Sequence, residues 1–180
     1  MRRFVSSFAV IVNLLLLDQI VKAWAMQRLK GGAAVPVSPF FNLAYVENRG
    51  CAWGMLQGHV WPLAAFAAVV FALLLWKRRS VFPPGRFGFA TETLLYAGIL
   101  GNLIDRLYYG FVVDMFDFHW GVRHFPCFNV ADSCITIAAA MLMVASVLVR
   151  DPSERDRGKL DSAMGKKAKA KEAGDAQGGD

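Results

Sequence analysis

Seven carboxylates lie outside the last thirty residues of the chain: Asp18, Glu47, Glu92, Asp105, Asp114, Asp117 and Asp132. Asp114 stands in the apolar run Val112-Val113-Asp114-Met115-Phe116, where an isolated acid is costly unless exposed or paired. Asp132 follows Asn129 by three residues, just ahead of a long apolar stretch. That spacing fits a capping box, and capping alone accounts for both residues. A second chemistry opens when Asp114 and Asp132, eighteen residues apart, are taken together. A connection that folds back brings both carboxylates onto one water. Like charges that close cannot both ionise, so the pair shares a proton. The ionised member can take a proton from water while the protonated member polarises a carbonyl. Such a pair hydrolyses an amide with neither a metal nor a covalent intermediate. A helix N-terminus favours an anion, so Asp132 is the expected ionised member, although the two titrations are coupled.

Other polar residues recur at helical spacing. Asp18 and Lys22 are four apart, on one helix face. They read equally well as an internal ion pair or as part of a site. Asn102 and Arg106 are also four apart, with Asp105 on the neighbouring flank and Gly98 one turn earlier, where a missing side chain permits close packing. Asn102 and Arg106 also read as a polar helix end reaching headgroups. His59, His119 and His124 form no His-Glu-x-x-His motif, so neither a metal nor another cofactor is expected. Cys51 and Cys127 fall in loop segments and have the option of pairing, while Cys134 reads as packing.

The elements that must carry these residues are apolar. The composition is 56% hydrophobic, unusual for a soluble domain of 180 residues. Four stretches, about 4–26, 60–76, 87–107 and 130–149, approach the ~20 residues a helix needs to cross a bilayer. The cationic excess lies at Arg2, Arg3, Lys77, Arg78, Arg79, Arg86 and Arg150, all at helix ends that share one side. The positive-inside rule puts that side, and both termini, in the cytoplasm. These cations serve topology, so no nucleic-acid partner is implied. Segments 27–59 and 108–129 then face out. The first is β-branched and aromatic and predicts a few short strands; the second is rich in aromatics suited to the headgroup layer. Pro83-Pro84-Gly85 predicts a stop in the loop between the second and third helices. Asp18 and Lys22 speak against a cleavable secretory signal ending at Ala23-Trp24-Ala25. The expected organisation is a four-helix membrane domain over 1–150 and a disordered cytoplasmic tail over 151–180.

Over residues 4–150 the chain resembles the lipoprotein signal peptidase (signal peptidase II) family. Five short motifs carry the resemblance in order: Asp18-Gln19-x-x-Lys22; Asn48-Arg49-Gly50-Cys51-Ala52-Trp53; Gly101-Asn102-Leu103-Ile104-Asp105-Arg106; Val112-Val113-Asp114-Met115; and Phe128-Asn129-Val130-Ala131-Asp132. The resemblance implies an all-α integral membrane protein, with four transmembrane helices and a small β-rich periplasmic cradle. It makes Asp114 and Asp132 the catalytic pair. It makes Asp18, Lys22, Asn48, Asn102, Arg106, Asn129 and Ala131 residues that shape the site or meet substrate. The implied partners are membrane lipid and a prolipoprotein whose cysteine carries diacylglycerol, cut just before that cysteine. The implied location is the bacterial inner membrane, with the site at the periplasmic face; the chain is expected to act as a monomer. Cys51 and Trp53 depart from the family's usual small residue and Phe, which questions pocket shape rather than chemistry. Asp117 is read as a loop acid, not as the catalytic one.

Three rival readings follow from the same residues. An ion-coupled transporter would place acids at mid-bilayer in repeated halves, and no repeat is visible. A structural subunit would use the acids only to cap and pair. A Ser/Lys peptidase would need a serine partner for Lys22.

Overall fold

The computed structural model describes residues 2–51 and 55–148. The chain divides into two compact units, Met1–Leu142 and Met143–Asp180. Of the second, residues 143–148 are described; they are helical, and Ser146 Oγ donates to the carbonyl of Met143 at 2.7 Å. The expected tail, 151–180, lies outside the described residues.

The helices are α1 (Arg2–Arg28), α2 (Val60–Trp76), α3 (Arg78–Val81), α4 (Gly85–Tyr108) and α5 (Val130–Leu148). Among the described residues, three of them are long and apolar enough to cross a membrane: α1 from Ser6, α4, and α5 to Val147. Helix α2 is apolar but has 17 residues, about 26 Å at ~1.5 Å per residue. Its Phe66, Val69 and Trp76 point outward, as do Phe8, Leu16, Leu17 and Ile20 of α1. Apolar surface on that scale suits lipid rather than water. Helix α4 is largely buried and packs against α1 and α2. Its Gly98 lets α5 approach: a Cβ there would lie 2.5 Å from the Ala131 carbonyl oxygen and 2.6 Å from Ile135 Cγ1. One apolar cluster, built around Phe82, Leu95, Tyr96, Ile99 and Ala138, fills the space between α2, α4 and α5.

The loop between α2 and α4 is shorter than the sequence suggests. Residues Arg78–Val81 form a helical turn, and Pro84 caps α4 from an extended conformation. The Arg78 guanidinium and the Glu92 carboxylate pair here, with Nη2 donating to Oε2 at 2.9 Å.

Four antiparallel strands form a sheet in the order β1 (Val35–Ser38), β2 (Phe41–Asn48), β3 (Val112–Trp120) and β4 (Arg123–His124). Strands in segment 27–59 agree with its composition. Segment 108–129 is more than an aromatic connection: it holds the nine-residue β3. Side chains alternate across a strand. Val113 and Met115 pack onto Ala25 and Leu29 at the end of α1, which leaves Val112 and Asp114 on the opposite face. In the β2–β3 register Val46 faces Asp114 and Asn48 faces Val112, with a bulge between Leu43 and Val46. The sheet is thereby seated on α1, and Asp114 is aimed at the start of α5.

Candidate active site

Asn129 organises the site. It caps α5: its Oδ1 accepts from the Asp132 backbone N–H at 2.9 Å, and its own N–H donates to Asp132 Oδ2 at 3.2 Å. The capping box is therefore present, and it leaves the side-chain amide free for other work. Asn129 Nδ2 donates to Asp114 Oδ1 at 2.7 Å and approaches Asn102 Oδ1 at 3.1 Å. One asparagine thus binds both aspartates. Asn102 Nδ2 donates to Asp132 Oδ1 at 2.7 Å, and Asn48 Nδ2 donates to Asp114 Oδ2 at 3.0 Å. Each carboxylate oxygen of the pair has a protein donor, as charged acceptors away from water require.

Asp114 is 1% exposed. Burial, and then the negative charge of Asp132, push its carboxyl up to about 7; the hydrogen bonds from Asn48 and Asn129 and the charge of Lys22 only partly oppose them. Asp114 is thus poised to hold a proton near neutrality.

Arg106 donates from Nη1 to the Asn102 carbonyl at 3.2 Å and from Nη2 to the Gly50 carbonyl at 3.1 Å. The Gly50 N–H in turn donates to Asn48 Oδ1 at 3.0 Å. This loop is tight, because a Cβ at Gly50 would collide with the Met55 carbonyl. Arg106 and Gly50 therefore hold the Asn48 amide toward Asp114.

Asp18 and Lys22 pair at 2.8 Å and are both buried. The Lys22 ammonium also meets Asp105 Oδ2 at 3.0 Å and Asn102 Oδ1 at 3.2 Å. The Ala131 N–H donates to Asp18 Oδ1 at 2.8 Å. Gly101 leaves room for this contact, since a Cβ added there would lie 2.7 Å from Asp18 Oδ2 and 3.0 Å from the Ala131 methyl.

The sequence-derived residues Asp18, Lys22, Asn48, Asn102, Asp105, Arg106, Asn129, Ala131, Asp114 and Asp132 lie in one hydrogen-bonded network. Gly98 stands beside it and contributes close packing rather than a polar contact. Asn102 and Asp105 are buried, not spread toward headgroups. Asp117 lies elsewhere, further along β3. Burial raises its carboxyl, but hydrogen bonds from His124 at 2.7 Å and Asn42 at 3.1 Å outweigh that and hold it below the usual range. Ala52 and Trp53 lie outside the described residues. Cys51 and Cys127 are free thiols. Gln19 was missed as a site residue: it donates to Asp105 Oδ1 at 2.9 Å and to Asp18 Oδ2 at 3.3 Å. Its position three residues before Lys22, on the same face, was the available signal.

A cavity of about 650 Å³ opens beside Asp132. Asn48, Asn102 and Arg106 form its polar end; Phe66, Val70, Ile99 and Ile135 form its apolar walls. A second cavity of about 370 Å³ reaches Asp114, and the two share Asn48, Cys51 and residues 125–127 as a common wall. Asp132 thus lines the more apolar of two adjoining cavities, and Asp114 lines the other, which also holds Glu47, Gln57 and His124. Among the described residues, no group of His, Cys, Asp and Glu is arranged to hold a metal ion.

The family model described as Signal peptidase (SPase) II matches residues 10–148. A lipoprotein signal peptidase of Shewanella sediminis is 38% identical over 162 residues, covering 87% of this chain and 92% of the relative. One from Clostridium acetobutylicum is 35% identical over 142 residues, covering 78% of this chain and 92% of the relative. A solved bacterial membrane enzyme, determined by the in meso method, superposes with a TM-score of 0.72 at 31% identity, covering 79% of this chain and 87% of its own. The five motifs, the apolar helices and these matches agree: the chain belongs to the signal peptidase II family, the lipoprotein signal peptidases.

Proposed function

We propose that the chain is an aspartic endopeptidase that removes the signal peptide from prolipoproteins whose cysteine carries diacylglycerol. The observation that carries this reading is the pair Asp114 and Asp132, drawn from separate elements onto one asparagine, with Asp132 lining an apolar cavity. Asp132 acts as the ionised member and takes a proton from water. The hydroxyl oxygen attacks the scissile carbonyl while protonated Asp114 hydrogen-bonds the carbonyl oxygen. Collapse of the tetrahedral adduct passes a proton to the departing nitrogen, which becomes the amino terminus of the lipid-modified cysteine. Arg106 and Asn48, at the polar end of the cavity, orient the substrate backbone. The acyl chains occupy the apolar walls between α2 and α5.

The same reading sets the surroundings. The apolar helices α1, α2, α4 and α5 all cross the bacterial inner membrane, α2 with the least length to spare. The sheet and the aspartate pair face the periplasm, both termini and the 151–180 tail face the cytoplasm, and residues 1–150 act as a monomeric unit. The cations at Lys77, Arg78, Arg79 and Arg86 support this orientation. Reconstitution into liposomes with a lipid-modified precursor tests it. Wild type should release the signal peptide, and Asp114→Asn and Asp132→Asn should insert but not cleave. Full activity in either variant excludes the pair. Equal cleavage of an unmodified precursor excludes the lipid requirement.

A further inference from the structure

Asp105 is 0% exposed and lies in the last turn of α4, where the helix dipole disfavours an anion. A buried acid at that end is costly and calls for a compensating arrangement. Its partners supply one. Oδ2 accepts from the Lys22 ammonium at 3.0 Å and from the Val113 N–H at 3.1 Å, and Oδ1 accepts from Gln19 Nε2 at 2.9 Å. Asp18 is arranged in parallel. It accepts from Lys22 and Gln19, and from the Ala131 N–H. Val113 immediately precedes Asp114, and Ala131 immediately precedes Asp132. Two buried acids that share one ammonium and one amide therefore each grip the backbone just ahead of one member of the reacting pair.

We infer that Asp105, backed by Gln19, is a positioning residue that holds β3 by the Val113 N–H and so sets Asp114 against Asp132. This rests on the hydrolytic role proposed for that pair. Lys22 closes the brace: its ammonium binds Asp18, Asp105 and Asn102, so α1, α4, α5 and β3 are fixed to a single charge. Simple neutralisation of Lys22 needs only Asp18; the second acid and the amide go further, because they reach the strand. Loss of Asp105 frees the start of β3 and lets Asp114 drift from Asp132.

The groups facing Asp114 are Asp132 from α5, Asn129 at its cap, Lys22 from α1, Arg106 from α4, Asn48 from β2 and Cys127 from the segment before α5. Drift from Asp132 removes a charge that keeps Asp114 protonated, so the alkaline limb of the pH–rate profile moves to lower pH. A merely destabilising change leaves that limb in place.

The test uses the full chain in liposomes with the lipid-modified precursor and compares wild type, Asp105→Ala, Asp105→Asn and Gln19→Ala. A misplacement near 1 Å costs about 10²-fold. Asp105→Ala is expected to lower kcat by about that factor, with KM within about twofold, and to shift the alkaline limb. Asp105→Asn restores kcat to within about tenfold of wild type, since its oxygen still accepts the Val113 N–H and the Gln19 amide can turn to accept from its nitrogen. Backbone amide exchange supplies an activity-independent readout. Val113 should exchange faster in Asp105→Ala while Ala131 stays protected. Unchanged kcat and pH profile, or unchanged Val113 exchange, overturns the inference. Gln19→Ala leaves Asp105 in place and carries the same two readouts if Asp105→Ala fails to accumulate; wild-type behaviour in both then overturns it. A wild type that never cleaves defeats the proposed function, and the exchange result still decides the brace.

Discussion

Replacing Asp114 by asparagine isolates the electrostatic work done on this one carboxyl. Its folded-state value is about 7 against 3.8 in an unperturbed chain. Three units at ~1.4 kcal/mol each is about 4 kcal/mol of penalty on the ionised form. The sign follows from proton counts. Between 3.8 and about 7 the folded chain holds a proton that the unfolded chain has lost. Stability therefore falls as pH rises through that window; the contribution is full below it and gone above it. From pH 5 to pH 8 roughly two units lie inside the window, which is about 3 kcal/mol. For a chain of this length that corresponds to about 6–12 °C in Tm. The asparagine has no proton to lose. Its NH2 group faces a donor from Asn48 or Asn129, a pH-independent cost of about 1 kcal/mol. The assay is thermal unfolding of both proteins in one detergent at pH 5, 6, 7 and 8. Wild type should lose about 6–12 °C relative to the variant across the series. Parallel curves would refute the claim that burial and Asp132 hold a proton on Asp114.

Three further outcomes follow. Val70→Trp narrows the apolar cavity beside Asp132; displacing two methylenes of an acyl chain at ~0.8 kcal/mol each should raise KM for the lipid-modified precursor about tenfold with little change in kcat. Gly98→Leu drives a side chain into Ala131 and Ile135, so overpacking of about 1–3 kcal/mol should lower both Tm and kcat, read by unfolding and by cleavage rate. Arg78→Ala leaves the buried Glu92 carboxylate unpaired; a cost of about 2 kcal/mol, between the exposed and buried limits, should lower Tm while KM and kcat at 25 °C stay unchanged.

Apart from the short α3, the helices were legible because each is a long apolar run, with physical stops such as the cations at Arg78 and Arg79, the prolines Pro83 and Pro84, and the capping asparagine Asn129. The polar residues of the candidate site stood out in the sequence because charge inside such runs is expensive, and Asp18 with Lys22, and Asn102 with Arg106, stand at spacings that share a face. Strand β3 was harder. It is buried on both faces around Val112–Met115, so its pattern lacks the apolar–polar alternation of a half-exposed strand. The role of Gln19 is hidden in the sequence, because its partners Asp105 and Gly101 are over eighty residues away. The grips of Asp18 on Ala131 and of Asp105 on Val113 use backbone N–H groups, which no residue type announces. The membrane status of α2 rests on length, since 17 residues is the lower end of the spanning range.

The central claim is that Asp114 and Asp132 act as one coupled pair, and the protonation of Asp114 can be watched directly. Infrared titration of the full chain in a bilayer should show a protonated-carboxyl carbonyl band that disappears with a midpoint near 7, is absent in Asp114→Asn, and titrates at lower pH in Asp132→Asn. A wild-type band that is already gone at pH 5, or a midpoint unmoved by Asp132→Asn, contradicts it.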